Sequence, residues 1–264
     1  MAIFAKIAYA AGVDLQTMLF LRFSIAGIAM LVLMLATRRR WPRGRDLLVL
    51  LLLGGVGYVG QSYCFFSSLQ HASAGVTALL LYLYPALVAL LGWLFLKRPL
   101  SMARIVAIAL ALAGTAMTVL GALHSTPLGM ALGASAALIY AVYILVGEGV
   151  TPRVGSVPAS TVIICAAALV YGAAWASGPA ELPANGAGWL AVAAIAVLST
   201  LVAILFFFVG LGRLGAADAS TVSTLEPLAT IALAAVFLDE RLSAMQIGGG
   251  AIIVAAVILI ARVR

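Results

Sequence analysis

Charge is scarce in this chain of 264 residues: only 9% are Asp, Glu, Lys or Arg, where a soluble domain carries about a quarter. Hydrophobic residues take their place, at 65% of the total with a mean hydropathy of +1.22. That balance excludes a water-soluble fold. Histidine and cysteine are also few. His71 and His124 stand alone near the ends of apolar runs and offer no metal-ligand spacing. Cys64 and Cys165 lie inside such runs, where they read as small packing residues and carry no message about redox compartment. The sequence has no G-x-x-x-x-G-K-[ST] loop, no H-E-x-x-H and no G-x-S-x-G, and no paired acids within its apolar runs. Neither a metal nor a cofactor is therefore expected. No signal peptide is expected either: Met1 to Lys6 supplies no basic start ahead of an adequate apolar core, so Ala8-Tyr9-Ala10 is not read as a cleavage site.

What is present in quantity is apolar sequence in runs of membrane-spanning length. About 20 apolar residues cross a bilayer as a helix. Such runs occupy 15–36, 47–67, 73–96, 102–122, 127–148, 157–177, 188–211, 218–238 and 244–262, with short turns of Gly, Pro, Ser and charge between them. Residues 1–12 form a tenth, incomplete span of about 18 Å against a hydrocarbon core of about 30 Å. The expectation is a coding sequence that starts upstream of Met1; a functional half helix is the other reading.

The runs repeat, and the repeat inverts its charge. Leu83-Tyr84-Pro85 through Phe95-Leu96-Lys97-Arg98-Pro99-Leu100-Ser101 returns 142 positions later as Leu225-Glu226-Pro227 through Phe237-Leu238-Asp239-Glu240-Arg241-Leu242-Ser243. Lys97-Arg98 has become Asp239-Glu240. Likewise, the basic run Arg38-Arg39-Arg40-Trp41-Pro42-Arg43-Gly44-Arg45 falls on Ala180 to Ala187, which has no basic residue. A copy with an odd number of spans enters the bilayer upside down, and loops turned outward lose their Lys and Arg. The reading is an all-α integral membrane protein: a ten-span inverted repeat of two five-helix bundles, 1–122 and 127–264, with the first span truncated. Of fifteen Lys and Arg, twelve fall in or beside the loops placed in the cytoplasm, near 37–46, 97–101, 149–156, 212–217 and the C-terminus. Both termini are cytoplasmic if span one is complete. The net charge of +7 then sets topology and implies no nucleic-acid partner.

Gly55-Val-Gly57-Tyr-Val-Gly60 fits G-x-G-x-x-G, but lies in an apolar run with no strand before it. It reads as a close helix contact, as do Gly129-x-x-x-Gly133 and Gly248-Gly249-Gly250. Polar groups inside spans are costly and mark function or pairing. Glu226 lies about 12 Å into its span, beside Pro227, which leaves the Ser223 carbonyl without its helical donor. An acid and a helix-kinking Pro at mid-depth suit a solute or proton site; a kink with a protonated carboxyl is the plainer reading. Tyr84-Pro85 is the repeat mate, offering a hydroxyl and an aromatic face. Pro85, like Pro227, is read as a helix kink; Thr77, Leu81 and Tyr84 share one helical face, as do Ser223, Glu226 and Thr230. Lys6 either pairs with Glu226 or an anionic solute, or snorkels to the outer surface. Arg22 is expected to tie helices together, and Glu148 to lie at an interface. Tyr140 and Tyr143, one turn apart, line a cavity or pack; Gln61 is read the same way.

The chain at this point resembles the drug/metabolite transporter superfamily, EamA type. The likeness rests on the two five-span repeats, on Leu19-Phe20-Leu21-Arg22-Phe23, and on the Pro85–Ser101 and Glu226–Ser243 segments. It covers nearly the whole chain except the start of span one. It implies a cavity between two halves, alternating access, and amino acids, metabolites or drugs as solutes. The expected function is secondary transport of a small organic solute across the cytoplasmic (inner) membrane, as an exporter with proton coupling through a multi-pass bundle. An intramembrane enzyme or a non-transporting membrane subunit is the alternative, and the former needs a constellation these residues do not supply. The partners expected are the solute, H+ and the lipid bilayer, with monomer and homodimer both open.

Overall fold

The computed structural model describes residues 1–97, 101–120, 125–178, 180–222, Leu233, Val236 and 243–262. Every regular element among them is helical. In chain order they are α1 (Ala2–Ala10), α2 (Leu15–Ala36), α3 (Gly44–Leu52), α4 (Val59–His71), α5 (Ala74–Leu81), α6 (Tyr84–Leu96), α7 (Met102–Leu120), α8 (Pro127–Val154), α9 (Ser156–Ala176), α10 (Gly186–Ala196), α11 (Ala203–Val222) and α12 (Ala244–Arg262). Leu53–Tyr58 joins α3 to α4, and Val197–Val202 joins α10 to α11, each as a π-helical segment.

Helix starts follow from local chemistry. Asp14 Oδ1 accepts from Thr17 N at 2.9 Å, Ser73 Oγ from Val76 N at 3.2 Å, and Asn185 Oδ1 from Gly188 N at 2.9 Å. Ser243 and Gln246 cap α12 reciprocally, with Gln246 N donating to Ser243 Oγ and Ser243 N to Gln246 Oε1. Each cap satisfies donors that the first turn leaves open.

Among the described residues, six segments are long and apolar enough to cross a membrane: Leu15–Ala36, Gly44–His71, Ala74–Leu96, Pro127–Val154, Ser156–Ala176 and Gly186–Arg213. α7 and α12 carry shorter apolar stretches, Ile105–Thr118 and Ala244–Leu259. Apolar side chains fill the interior, as Leu19, Phe23 and Phe66 do, but they cover the outside as well. Ile28, Val32, Leu35, Phe95, Leu169 and Leu190 are exposed, whereas Thr17, Arg22, Ser68, Thr77, Thr161 and Thr200 are buried. That arrangement is stable where the surroundings are hydrocarbon and polar groups must find partners inside.

Two sequence expectations, both of turns, need correction. The turn expected near 212–217 is helical, since α11 runs to Val222. The turn expected at 149–156 shrinks to Gly155, whose φ of +85° is open to glycine without strain. The kink expected at Pro85 is an interruption of the 73–96 span after Leu81. Pro85 has no N–H to give the Leu81 carbonyl and its ring crowds that oxygen, so α5 ends and α6 begins one turn on. Thr77 and Leu81 thus belong to α5 and Tyr84 to α6.

The helices gather into two compact units: Ile3–Ser62 with Val146–Arg213, and Tyr63–Leu145 with Leu214–Arg264. In the first, α2 packs on α9, and Gly54 meets the Ile163 backbone so closely that a Cβ would collide with its carbonyl. In the second, α7 packs on α12 through facing glycines. A Cβ at Gly114 would lie 2.6 Å from the Gly249 carbonyl oxygen. Small residues allow backbones to touch where no water-driven collapse holds helices together. The Gly55–Gly60 stretch is helical, with no preceding strand, so it has no dinucleotide-binding geometry.

Candidate functional site

The break between α5 and α6 places its residues in mid-span. Tyr84 is the eleventh residue from Ala74, about 15 Å along a segment of about 34 Å. Two tyrosines flank the break, and two more come from α8. Tyr84 meets Tyr140 edge to face with centroids 4.8 Å apart, Tyr82 lies 5.8 Å from Tyr84, and Tyr140 stacks on Tyr143 at 5.8 Å. Tyr82, Tyr84 and Tyr143 are buried and Tyr140 is half-buried. The row joins residues that the sequence offered separately. Tyr82 is an addition to it; residues two apart point to different sides of a regular helix, so its position before Tyr84 gave no helical-face signal.

Beneath this row, α4, α5 and α8 are tied by polar bonds. Ser68 Oγ lies 3.0 Å from Thr77 Oγ1 and donates to the Gly129 carbonyl at 2.8 Å. A Cβ at Gly133 would press on Leu80. Such bonds fix α8 against the broken span, so the tyrosine rings stand on anchored backbone. Rings at these separations offer edges, faces and hydroxyls to a flat or cationic organic molecule.

The other compact unit holds a second buried polar node, built on Arg22, which is 1% exposed. Its Nε donates to Thr200 Oγ1 at 2.6 Å and its Nη2 to Tyr58 Oη at 2.8 Å. Thr200 Oγ1 in turn donates to the Ile195 carbonyl at 2.9 Å. The guanidinium lies 4.7 Å over the Phe23 ring. Arg22 thus ties α2 to both π-helical segments, as a residue that joins helices should. Tyr58 and Thr200 are 142 positions apart, the spacing at which the Pro85 and Pro227 segments match. No local sequence signal marked either as its partner.

Lys6 is half-buried on α1, and Gln61 is buried on α4, where its Oε1 accepts from Ser62 Oγ at 3.4 Å. Both belong to the unit that holds Arg22. Ser223, Glu226, Pro227 and Thr230 lie outside the described residues. At the α1–α2 turn, burial pushes the Asp14 carboxyl pKa up, but hydrogen bonds from Thr17, Glu181 and Gln16 together outweigh it and hold the group below the usual carboxylate range. Asp14 Oδ2 accepts from Glu181 N at 2.9 Å, joining this turn to the segment before α10.

The sequence profile of the EamA-like transporter family matches residues 1–120 and 127–262. A curated relative, "Uncharacterized transporter sll1319" of Synechocystis sp., is 26% identical over 221 residues, which is 78% of this chain and 65% of that protein. The match thus spans slightly less than two thirds of the relative's length. A solved crystal structure superposes with a TM-score of 0.70 at 22% identity, covering 97% of this chain and 92% of the other; that likeness speaks for the fold. With apolar helices of spanning length and a family match over nearly all its residues, this multi-pass membrane protein belongs to the EamA-like transporter family.

Proposed function

We propose that this chain is a secondary transporter that exports a small organic solute across the cytoplasmic membrane by alternating access, with proton coupling. The observation that carries the reading is the span broken at Tyr82–Leu83 with Tyr82, Tyr84, Tyr140 and Tyr143 gathered at the break. Transporters of this general kind bind solutes at mid-depth beside discontinuous helices, where irregular backbone lines a cavity. A tyrosine row suits an amino acid, metabolite or drug with an aromatic or cationic part.

In this reading the two halves, 1–122 and 127–264, are inverted five-span repeats and together make ten spans. The first residues of the two π-helical segments, Leu53 and Val197, are 144 positions apart, close to the repeat spacing, which supports that reading. Both termini are on the cytoplasmic side if span one is complete. Glu226, beside Pro227, is the proton-coupling carboxyl, and Lys6, Gln61 and Ser223 belong to the solute and proton pathway.

The test is solute flux in proteoliposomes with and without a pH gradient. Glu226→Gln should leave solute binding intact and remove the dependence of flux on the gradient, while Glu226→Asp retains part of it. Tyr84→Ala and Tyr140→Ala should weaken solute binding by on the order of tenfold each, the loss of about 1.4 kcal/mol of ring contact. Unchanged pH dependence in Glu226→Gln would make that residue structural. Absence of any flux, with the protein folded, would favour a non-transporting subunit.

A further inference from the structure

A second site lies at the ends of two spanning helices, α8 among them, one turn or more beyond Tyr143 on that helix. The first turn of α3 and the last turns of α8 form an open cavity of about 500 Å³ lined by Arg45, Asp46, Val49, Val146, Val150 and Arg153, with Gly149. Its size is that of a small-molecule site, about 300–1,000 Å³. Its two ends differ chemically. Val49, Val146 and Val150 form an aliphatic wall that continues into the spans. Arg45 is the second residue of α3 and Arg153 the penultimate residue of α8, so both stand where the helices leave the hydrocarbon.

The acceptors at the mouth are already engaged. Arg153 Nη2 lies 2.6 Å from Asp46 Oδ1, its Nε donates to the same carboxylate, and its Nη1 donates to the Gly149 carbonyl. A guanidinium has five N–H groups, so two remain directed elsewhere. The Arg153 side chain is 59% exposed, and Arg45 is exposed beside it. Asp46 and Gly149 hold the Arg153 fork in a fixed orientation, which reduces the entropy lost when it meets an anion. Two cations against one carboxylate leave the mouth positive, and Arg43 precedes it on the chain.

We propose that this cavity binds an anionic phospholipid, with the phosphate at Arg45 and Arg153 and the acyl chains along Val49, Val146 and Val150. Charge complementarity selects the headgroup and the aliphatic wall selects a lipid over a free anion. Basic pockets between spanning helices at the membrane boundary recognise anionic headgroups in this manner. The inference is independent of what the protein transports.

The test follows the thermal unfolding midpoint of the purified chain in neutral detergent while phosphatidylglycerol, phosphatidylcholine or inorganic phosphate is titrated in. Phosphatidylglycerol should raise the midpoint saturably; the other two should not. Arg45→Gln should weaken that response on the order of tenfold, as loss of a charge-assisted hydrogen bond does. Val49→Trp, which fills the cavity but keeps its charges, should abolish it. Arg39→Gln removes an equal charge from the preceding loop and should leave the response unchanged. An equal response to phosphatidylcholine or to inorganic phosphate would overturn the proposal. So would a loss in Arg39→Gln matching that in Arg45→Gln, which would mean diffuse attraction to the basic loop. Should Val49→Trp fail to fold, Arg45→Gln at its exposed position against Arg39→Gln still decides the matter.

Discussion

Thr200→Val keeps the shape of a buried side chain and deletes one hydroxyl, and the consequence can be worked out from the Arg22 node. That hydroxyl accepts from Arg22 Nε at 2.6 Å and donates to the Ile195 carbonyl at 2.9 Å. A neutral hydrogen bond between helices in a bilayer averages about 0.6 kcal/mol. A hydrogen bond to a charged group is worth about 1.5–3 kcal/mol, and stranding a charged donor in an interior lies toward the upper end. Thr200→Val should therefore lower stability by about 2 kcal/mol. Tyr58→Phe, which removes the acceptor for Nη2 at 2.8 Å, should cost a similar amount. The distinguishing expectation concerns Arg22→Met placed on the double variant. Removing the charge should restore part of the lost stability, because an apolar chain of similar length needs no acceptors. Reversible unfolding in mixed micelles measures each value, and a mutant cycle gives the coupling. A change under about 0.5 kcal/mol for Thr200→Val, or a further loss on adding Arg22→Met, would refute the account of a charge held by two hydroxyls.

Gly114→Val places a branched side chain against the Gly249 carbonyl, where a Cβ would already lie at 2.6 Å. Since backbone cannot yield as a side chain does, the loss should be about 3 kcal/mol in the same assay. Asp14 has a folded-state pKa below its ordinary value, so its contribution is complete above the unfolded value of about 3.9 and is lost as pH falls through the folded one. The melting midpoint of the wild type should thus fall below about pH 4, and Asp14→Asn, which still caps α2, should lack that part of the slope. Gly44→Cys should resist a membrane-impermeant thiol reagent in intact cells while Asn185→Cys reacts, because only the 37–46 loop is basic; the opposite pattern would overturn the proposed orientation.

Much of this protein was legible as sequence because the bilayer simplifies the problem. Backbone groups in hydrocarbon must bond within their own segment, so apolar runs of sufficient length become helices whatever their neighbours do. That logic yielded the helices of spanning length and the family. The interruption beside Pro85 was legible too, since a missing N–H is a local fact. The same local reasoning misplaced turns at 212–217 and 149–156. Glycine costs a helix only about 1 kcal/mol, and the helices continue past it through Gly212 and Gly149. The π-helical segments left no mark in the sequence, because one extra residue in a turn depends on what packs against it. Tertiary structure alone brought Tyr84 to Tyr140, 56 positions away, and carried Arg22 to Tyr58 and Thr200 at once. Hydropathy records how each segment partitions between water and lipid. Which polar groups meet inside is decided by helix crossings, where glycines set the distance of approach and buried donors must each reach an acceptor.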